Sequence, residues 1–122
     1  MNIAMRRAKL LILESASENK EKMSEGWLLW ELMRILGYEK RTNLKIIGGS
    51  NRLLEELKNA EERFIHISAH GDFHQTRGAF LKTPRKGKVF SSDLVEYGRA
   101  GRDLKFRIWW HCQRARRVML IW

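Results

Sequence analysis

The fold is decided by the stretch Phe64-Ile65-His66-Ile67-Ser68-Ala69-His70-Gly71-Asp72. Its apolar and β-branched residues predict a short strand over residues 63–68 that runs directly into a histidine and a glycine. A histidine held at a strand end is well placed for acid–base chemistry, and the glycine beside it lets the backbone approach a ligand. His70 is therefore the first candidate functional residue.

Two further strands are predicted upstream of this stretch, at residues 9–13 and 44–47, where short apolar runs are bounded by polar residues. A helix over residues 20–36 separates them, because apolar residues recur there at steps of three and four. Gly37 follows as a typical residue for ending a helix. The apolar face of this helix comprises Met23, Trp27, Trp30, Met33 and Leu36.

A second helix follows the turn Gly48-Gly49-Ser50-Asn51 and carries the apolar residues Leu53, Leu54, Leu57 and Ala60. Helical connections of this length join parallel strands by right-handed crossovers. We therefore predict three parallel strands in one sheet, with their C-terminal ends at a shared edge. Open α/β sheets place their binding sites at that edge.

The pattern downstream of His70 differs. Residues 78–81 and 88–90 predict a hairpin around the turn Thr83-Pro84-Arg85-Lys86-Gly87. A helix is predicted to start at Ser91-Ser92-Asp93, where Asp93 and Glu96 have the spacing of a capping box and Leu94 and Val95 would face the core. A fourth strand at residues 106–110 then leads to Cys112, which is the only cysteine in the chain.

The length and composition predict one globular domain over residues 1–122, since 43% of the 122 residues are hydrophobic and 31% are charged. A single cysteine cannot form an intramolecular disulfide, and no apolar run has the length of a signal-peptide core or a membrane span. We therefore expect a cytoplasmic protein that does not enter a membrane. No motif in the chain calls for a cofactor.

The net charge of +10 is unevenly distributed, because residues 82–122 contain eleven basic and three acidic side chains. Such a segment is most often a solvated surface, although it also suits an anionic partner such as nucleic acid. No helix-turn-helix, zinc-finger or aromatic RNA-binding motif accompanies it. Nucleic-acid binding is therefore an alternative and not the favoured hypothesis.

The order of these features resembles the caspase-like cysteine peptidases, clan CD in the broad sense, and most of all their bacterial CHAT-domain group. The resemblance spans residues 9–112. It rests on the stretch from Phe64 to Gly71, on the hairpin and Ser92-Asp93-Leu94 that follow it, and on a cysteine after the next strand. It implies a three-layer, Rossmann-like α/β fold with a mainly parallel sheet, in which this chain supplies the N-terminal four-strand portion.

The resemblance also implies a catalytic dyad of His70 and Cys112, with an oxyanion hole formed by the backbone N–H groups of Gly71 and Cys112. Such an enzyme would be a cysteine endopeptidase that hydrolyses peptide bonds through a thioester. A thiol becomes a strong nucleophile once a neighbouring imidazole removes its proton. The basic residues near Cys112, namely His111, Arg114, Arg116 and Arg117, would also favour the thiolate.

The chain ends ten residues after Cys112, whereas the family has further strands there. We therefore expect a truncated copy, incomplete at its C-terminus, that self-associates or is completed by another chain. Such a copy could also be degenerate and non-catalytic. In that alternative the caspase-like scaffold is an interaction module, which binds a protein or an anionic partner through its basic C-terminal third.

A competing hypothesis uses His66, His70, Asp72 and His74 as zinc ligands, since these residue types are suitable donors. Their spacing, however, does not match a known zinc motif, and a strand that ends near His70 would separate His70 from His74. We therefore expect no metal site.

Overall fold

The computed structural model describes residues 9–19, 21, 24–100, 108–111 and 118–121. Three parallel strands form one sheet in the order β2-β1-β3. They are β1 (Leu10–Glu14), β2 (Thr42–Ile46) and β3 (Phe64–Ser68). The predicted parallel arrangement is confirmed, with strand bounds that shift by one or two residues.

β1 is the central strand, and it is buried on both faces. Leu11, Ile12 and Leu13 have no exposure to solvent. This burial explains why the strand is a continuous apolar run and does not alternate between polar and apolar residues. Its last residue is Glu14, a carboxylate that is also fully buried.

Helix α1 (Glu25–Ile35) packs across all three parallel strands. Trp27, Trp30 and Met33 are half-buried, as the predicted apolar face requires, whereas Leu36 is exposed. The helix begins at Glu25, later than predicted, because Ser24 takes the extended N-cap conformation. Met23 and Lys20, which belonged to the predicted helix, lie outside the described residues.

Gly37 ends α1 as predicted. Its φ of 86° is left-handed, and its N–H donates to the Arg34 carbonyl while the Tyr38 N–H donates to the Met33 carbonyl. These two bonds form a Schellman motif, which suits glycine because a Cβ is disfavoured at positive φ. A short 3-10 turn (Glu39–Arg41) then leads into β2.

Helix α2 (Ser50–Asn59) covers the other face of the parallel sheet, where Leu53 and Leu57 join the core. An ion pair ties the helix to β2, because Lys45 Nζ lies 2.6 Å from Glu56 Oε2. Burial opposes ionisation of Glu56, but the hydrogen bonds and charges of Lys45 and Arg52 outweigh it and lower the pKa of this carboxyl.

An antiparallel sheet follows β3, formed by β4 (His70–His74), β5 (Gly78–Lys82) and β6 (Lys88–Phe90) in that order. The predicted β5–β6 hairpin is confirmed. β4 was not predicted, since the chain after His70 is polar and lacks the alternation typical of a strand. Pairing with β5 imposes the extended conformation on these residues. His70 therefore lies two residues after the end of β3 and is also the first residue of β4.

Helix α3 (Ser91–Ala100) begins where the hairpin ends, and Leu94 is fully buried as predicted. Asp93 caps this helix, but its hydrogen-bond partner is Phe90 and not Glu96, which the capping-box spacing had suggested. Its Oδ2 accepts a hydrogen bond from the backbone N–H of Phe90, 3.0 Å away. This is the reciprocal half of a capping box, in which the third helical residue reaches back to the N-cap. For Val95 only the helical backbone is described.

The last described strands are β7 (Ile108–His111) and β8 (Val118–Ile121), which pair antiparallel with each other. β7 corresponds to the predicted fourth strand and passes beside β3. The expectation of a parallel sheet therefore holds for β1–β3, which form the parallel ladders. The other described strands pair antiparallel.

The protein is thus an α/β structure with a three-stranded parallel sheet and a separate antiparallel sheet. A single apolar cluster joins them, since Leu11, Leu13 and Ile67 of the parallel sheet pack in one core with Leu81 of β5 and Val89 of β6. None of the helices in the described part of the chain is long and apolar enough to cross a membrane.

Gly26 provides a test of how α1 meets β1. A Cβ at this position would lie 2.7 Å from Glu14 Oε1, closer than real contacts allow. Helix propensity alone predicts that Gly26→Ala stabilises the protein. We expect the opposite, a loss of about 1 to 2 kcal/mol in the free energy of unfolding, because the buried carboxylate must shift.

The matched control is Asn51→Ala. Asn51 is the second residue of α2, as Gly26 is of α1, but its side chain is exposed. At this position only helix propensity should matter, and the free energy of unfolding should change by no more than about 0.5 kcal/mol. Urea denaturation measures both variants. Equal midpoints for the two would contradict the proposed packing at Gly26.

Candidate functional site

The C-terminal edge of the parallel sheet carries His70. Only Ala69 separates the end of β3 from the start of β4, so the backbone of His70 is fixed by two sheets in succession. Its side chain is exposed, whereas Gly71 beside it is buried. The structure therefore presents the imidazole to solvent on a rigid backbone at the edge where α/β folds bind ligands.

Cys112 lies outside the described residues, and so the structure does not test its distance from His70. It follows His111, the last residue of β7, directly in the sequence. β7 passes beside β3. The strands that precede the two predicted dyad residues are therefore neighbours in space.

Asp72 and Lys82 share a face of the antiparallel sheet with His70. Lys82 is the cross-strand partner of His70, and Asp72 is two residues further along β4, so all three side chains project to the same side. The Lys82 Nζ lies 3.1 Å from Asp72 Oδ2. The lysine next to His70 is thus paired with an aspartate and does not act on the imidazole as a single positive charge.

Three loops frame this edge. The β5–β6 turn reaches the loop after β1, because Arg85 Nε donates to Glu18 Oε1 at 2.8 Å. It also reaches the loop after β2, because the Arg85 N–H donates to the Gly48 carbonyl at 2.9 Å. Gly48 suits this crossing, since a Cβ there would lie 2.7 Å from Arg85 Nε. The three loops are therefore held together.

Glu14 anchors the first of these loops. Its Oε2 accepts hydrogen bonds from the backbone N–H groups of Ala16 (2.7 Å) and Ser17 (3.3 Å). Its Oε1 accepts from the Ser24 hydroxyl and from the N–H of Gly26 (3.0 Å). One buried carboxylate thus fixes both the loop after β1 and the start of α1. Charged acceptors of this kind form stronger hydrogen bonds than neutral ones.

The role of Glu14 was missed in the sequence. The signal was present, because Glu14 is the only charged residue in the strand Leu10–Glu14 and comes at its C-terminal end. The partners of Arg85 were also missed, since Glu18 is 67 residues away in the chain. Neither contact follows from local spacing.

The proposed zinc ligands do not converge. His66 faces α1, where its Nε2 lies 3.1 Å from Glu25 Oε1 without the geometry of a hydrogen bond. The Nδ1 atom of His74 accepts from the backbone N–H groups of Thr76 and Arg77, each at 3.2 Å. Among the described residues, no three His, Cys, Asp or Glu side chains are placed to hold a metal ion.

Several cations of the basic C-terminal third are already engaged. Lys82 pairs with Asp72 and Arg85 with Glu18, while Lys88 Nζ lies 5.1 Å from the centre of the Phe80 ring. Six of the eleven basic residues in the range 82–122 lie outside the described residues. Within the described part, then, these contacts reduce the charge that is available to an anionic partner.

Comparison of the chain with protein-family models, with curated proteins and with solved structures found no match.

Glu14→Gln tests the anchoring role of this residue. An amide would turn an NH₂ group toward backbone N–H donors, because both carboxylate oxygens accept such bonds. We expect a loss of about 2 to 4 kcal/mol in the free energy of unfolding, since buried donors would lose their acceptor.

The control for this substitution is Glu55→Gln on the exposed side of α2, where a change within about 0.5 kcal/mol is expected. Urea denaturation at neutral pH compares the two. If Glu14→Gln were as stable as Glu55→Gln, the carboxylate would not be the anchor of the loop and helix.

Proposed function

We propose that this protein is a caspase-like cysteine peptidase in which His70 is the general base and Cys112 the nucleophile. The observation that carries the proposal is the exposed His70 on a rigid backbone at the C-terminal edge of β3. The order β2-β1-β3, followed by a small antiparallel sheet and a strand beside β3, supports the caspase-like identity.

In the proposed reaction the imidazole of His70 takes the proton of the Cys112 thiol, and the thiolate attacks the carbonyl carbon of a peptide bond. The oxyanion that forms is stabilised by backbone N–H groups, for which the resemblance assigns Gly71 and Cys112. The C–N bond then breaks as the protonated His70 gives its proton to the departing amine. This step leaves a thioester on Cys112.

The second half of the reaction releases the acyl product. His70 takes a proton from a water molecule, which attacks the thioester carbonyl, and the C–S bond breaks. The thiol regains its proton from His70, and the free enzyme is restored. The exposed position of His70 suits both halves, because the imidazole must reach the substrate amine and then water.

A second candidate is a caspase-like interaction module without catalysis. The observation in its favour is on the outer side of α1, where Leu28, Leu32 and Ile35 follow helical spacing and are about half exposed or more. An apolar stripe of this kind suits a protein partner or a second copy of the chain. This candidate does not require a reactive Cys112.

Labelling of Cys112 by a peptide acyloxymethyl ketone distinguishes the two candidates. The wild type should be labelled at Cys112, and His70→Ala should slow the labelling by about 100-fold or more, because general base catalysis contributes at least that much. Mass spectrometry of the intact protein follows the rate and locates the adduct.

The matched control is His74→Ala, which removes the other exposed histidine of the same strand and should change the rate by less than a factor of about three. Urea midpoints check that each variant is folded. Equal and slow labelling in the wild type and in folded His70→Ala would contradict the dyad and favour the interaction module.

A further inference from the structure

A pocket of about 630 Å³ lies at the opposite edge of the parallel sheet from His70. It is lined by the first residues of the strands, including Leu10 of β1, Thr42 of β2 and Phe64 of β3, and by Met33 near the end of α1. The volume is within the range of small-molecule sites, about 300 to 1,000 Å³. The proposed dyad does not use this space.

Backbone hydrogen bonds fix the walls of the pocket. The Schellman motif at Gly37 places Tyr38 beside Met33, through the bond from the Tyr38 N–H to the Met33 carbonyl at 2.8 Å. The hydroxyl of Thr42 donates to the Tyr38 carbonyl at 2.9 Å. On the other side, the Phe64 N–H donates to the Lys9 carbonyl at 3.1 Å. Such a pocket is preformed and need not be assembled by its ligand.

The side chains of the pocket combine an apolar surface with positive charge. Leu10, Met33, Tyr38 and Phe64 supply the apolar part, and Phe64 remains 56% exposed to solvent. Lys9, Arg41 and Arg63 supply three cations. None of the described residues that line the pocket is acidic. An exposed aromatic ring next to several cations suits a ligand that is apolar along its body and negative at one end.

We propose that this pocket binds an amphiphilic carboxylate, with its apolar body against Phe64 and Met33 and its head near Arg63 and Lys9. Arginine suits the head because its guanidinium can bind both oxygens of a carboxylate. Among the described residues, neither Lys9 nor Arg63 has a side-chain ion pair that would compete for this role.

Isothermal titration of the full chain with decanoate, with 1-decanol and with decyltrimethylammonium tests the proposal. The three probes share one apolar body and differ in charge. Decanoate should bind at least ten-fold more tightly than either comparator, and its affinity should fall as the salt concentration rises, because the head group is partly exposed. Equal affinities for the three probes, or no binding of decanoate at millimolar concentration, would contradict the proposal.

Arg63→Gln should weaken decanoate binding about ten-fold, as expected when one charge-assisted contact is lost. Lys86→Gln is the matched control, since it removes one positive charge at the β5–β6 turn, near the other edge of the sheet, and should leave the affinity within two-fold. Loss of affinity in both variants would indicate a nonspecific charge effect and contradict the site. Cys112→Ala should bind decanoate as the wild type does, so failure of the peptidase proposal and failure of this one give different results.

Discussion

A fully buried carboxylate organises the side of the molecule on which His70 lies. Glu14 ends the central strand, and its two oxygens accept four hydrogen bonds from the loop after β1 and from the first turn of α1. Without these bonds the charge would have no compensating partner among the described residues. The loop after β1, the start of α1 and the glycine at position 26 all contact this one group.

The anchored loop continues into the network at the C-terminal edge. Glu18 of that loop binds Arg85 of the β5–β6 turn, and the backbone of Arg85 binds Gly48 after β2. This network and the one-residue link at Ala69 thus hold the antiparallel sheet to the parallel sheet, in addition to the apolar core that the two sheets share. Because His70 is the first residue of β4, its position depends on both connections. Rigid support of this kind is what a general base requires, since catalysis is sensitive to small displacements.

The periodic parts of the sequence predicted most of the fold. Apolar runs located β1 and β3, and Gly37 marked the end of α1, because each signal is local. β4 was missed since its residues Asp72, Phe73 and His74 have no strand pattern and become extended only by pairing with β5. The start of α1 was misplaced because Glu14, a residue distant in sequence, determines it. His70 could be identified from its position after a strand, whereas its neighbours Asp72 and Lys82 form an ion pair that no local pattern predicts.

The two edges of the parallel sheet differ in chemistry, with the proposed acid–base residue at one and a cationic, apolar pocket at the other. The central claim concerns the first edge, namely that His70 and Cys112 act together on the same peptide bond of a substrate. The most direct measurement is the separation of Cys112 Sγ from the nearer ring nitrogen of His70 in a crystal structure of the free protein. A catalytic dyad requires about 3 to 4 Å, within or just beyond hydrogen-bond reach. A separation too large for a hydrogen bond or one bridging water, in an ordered site, would contradict it.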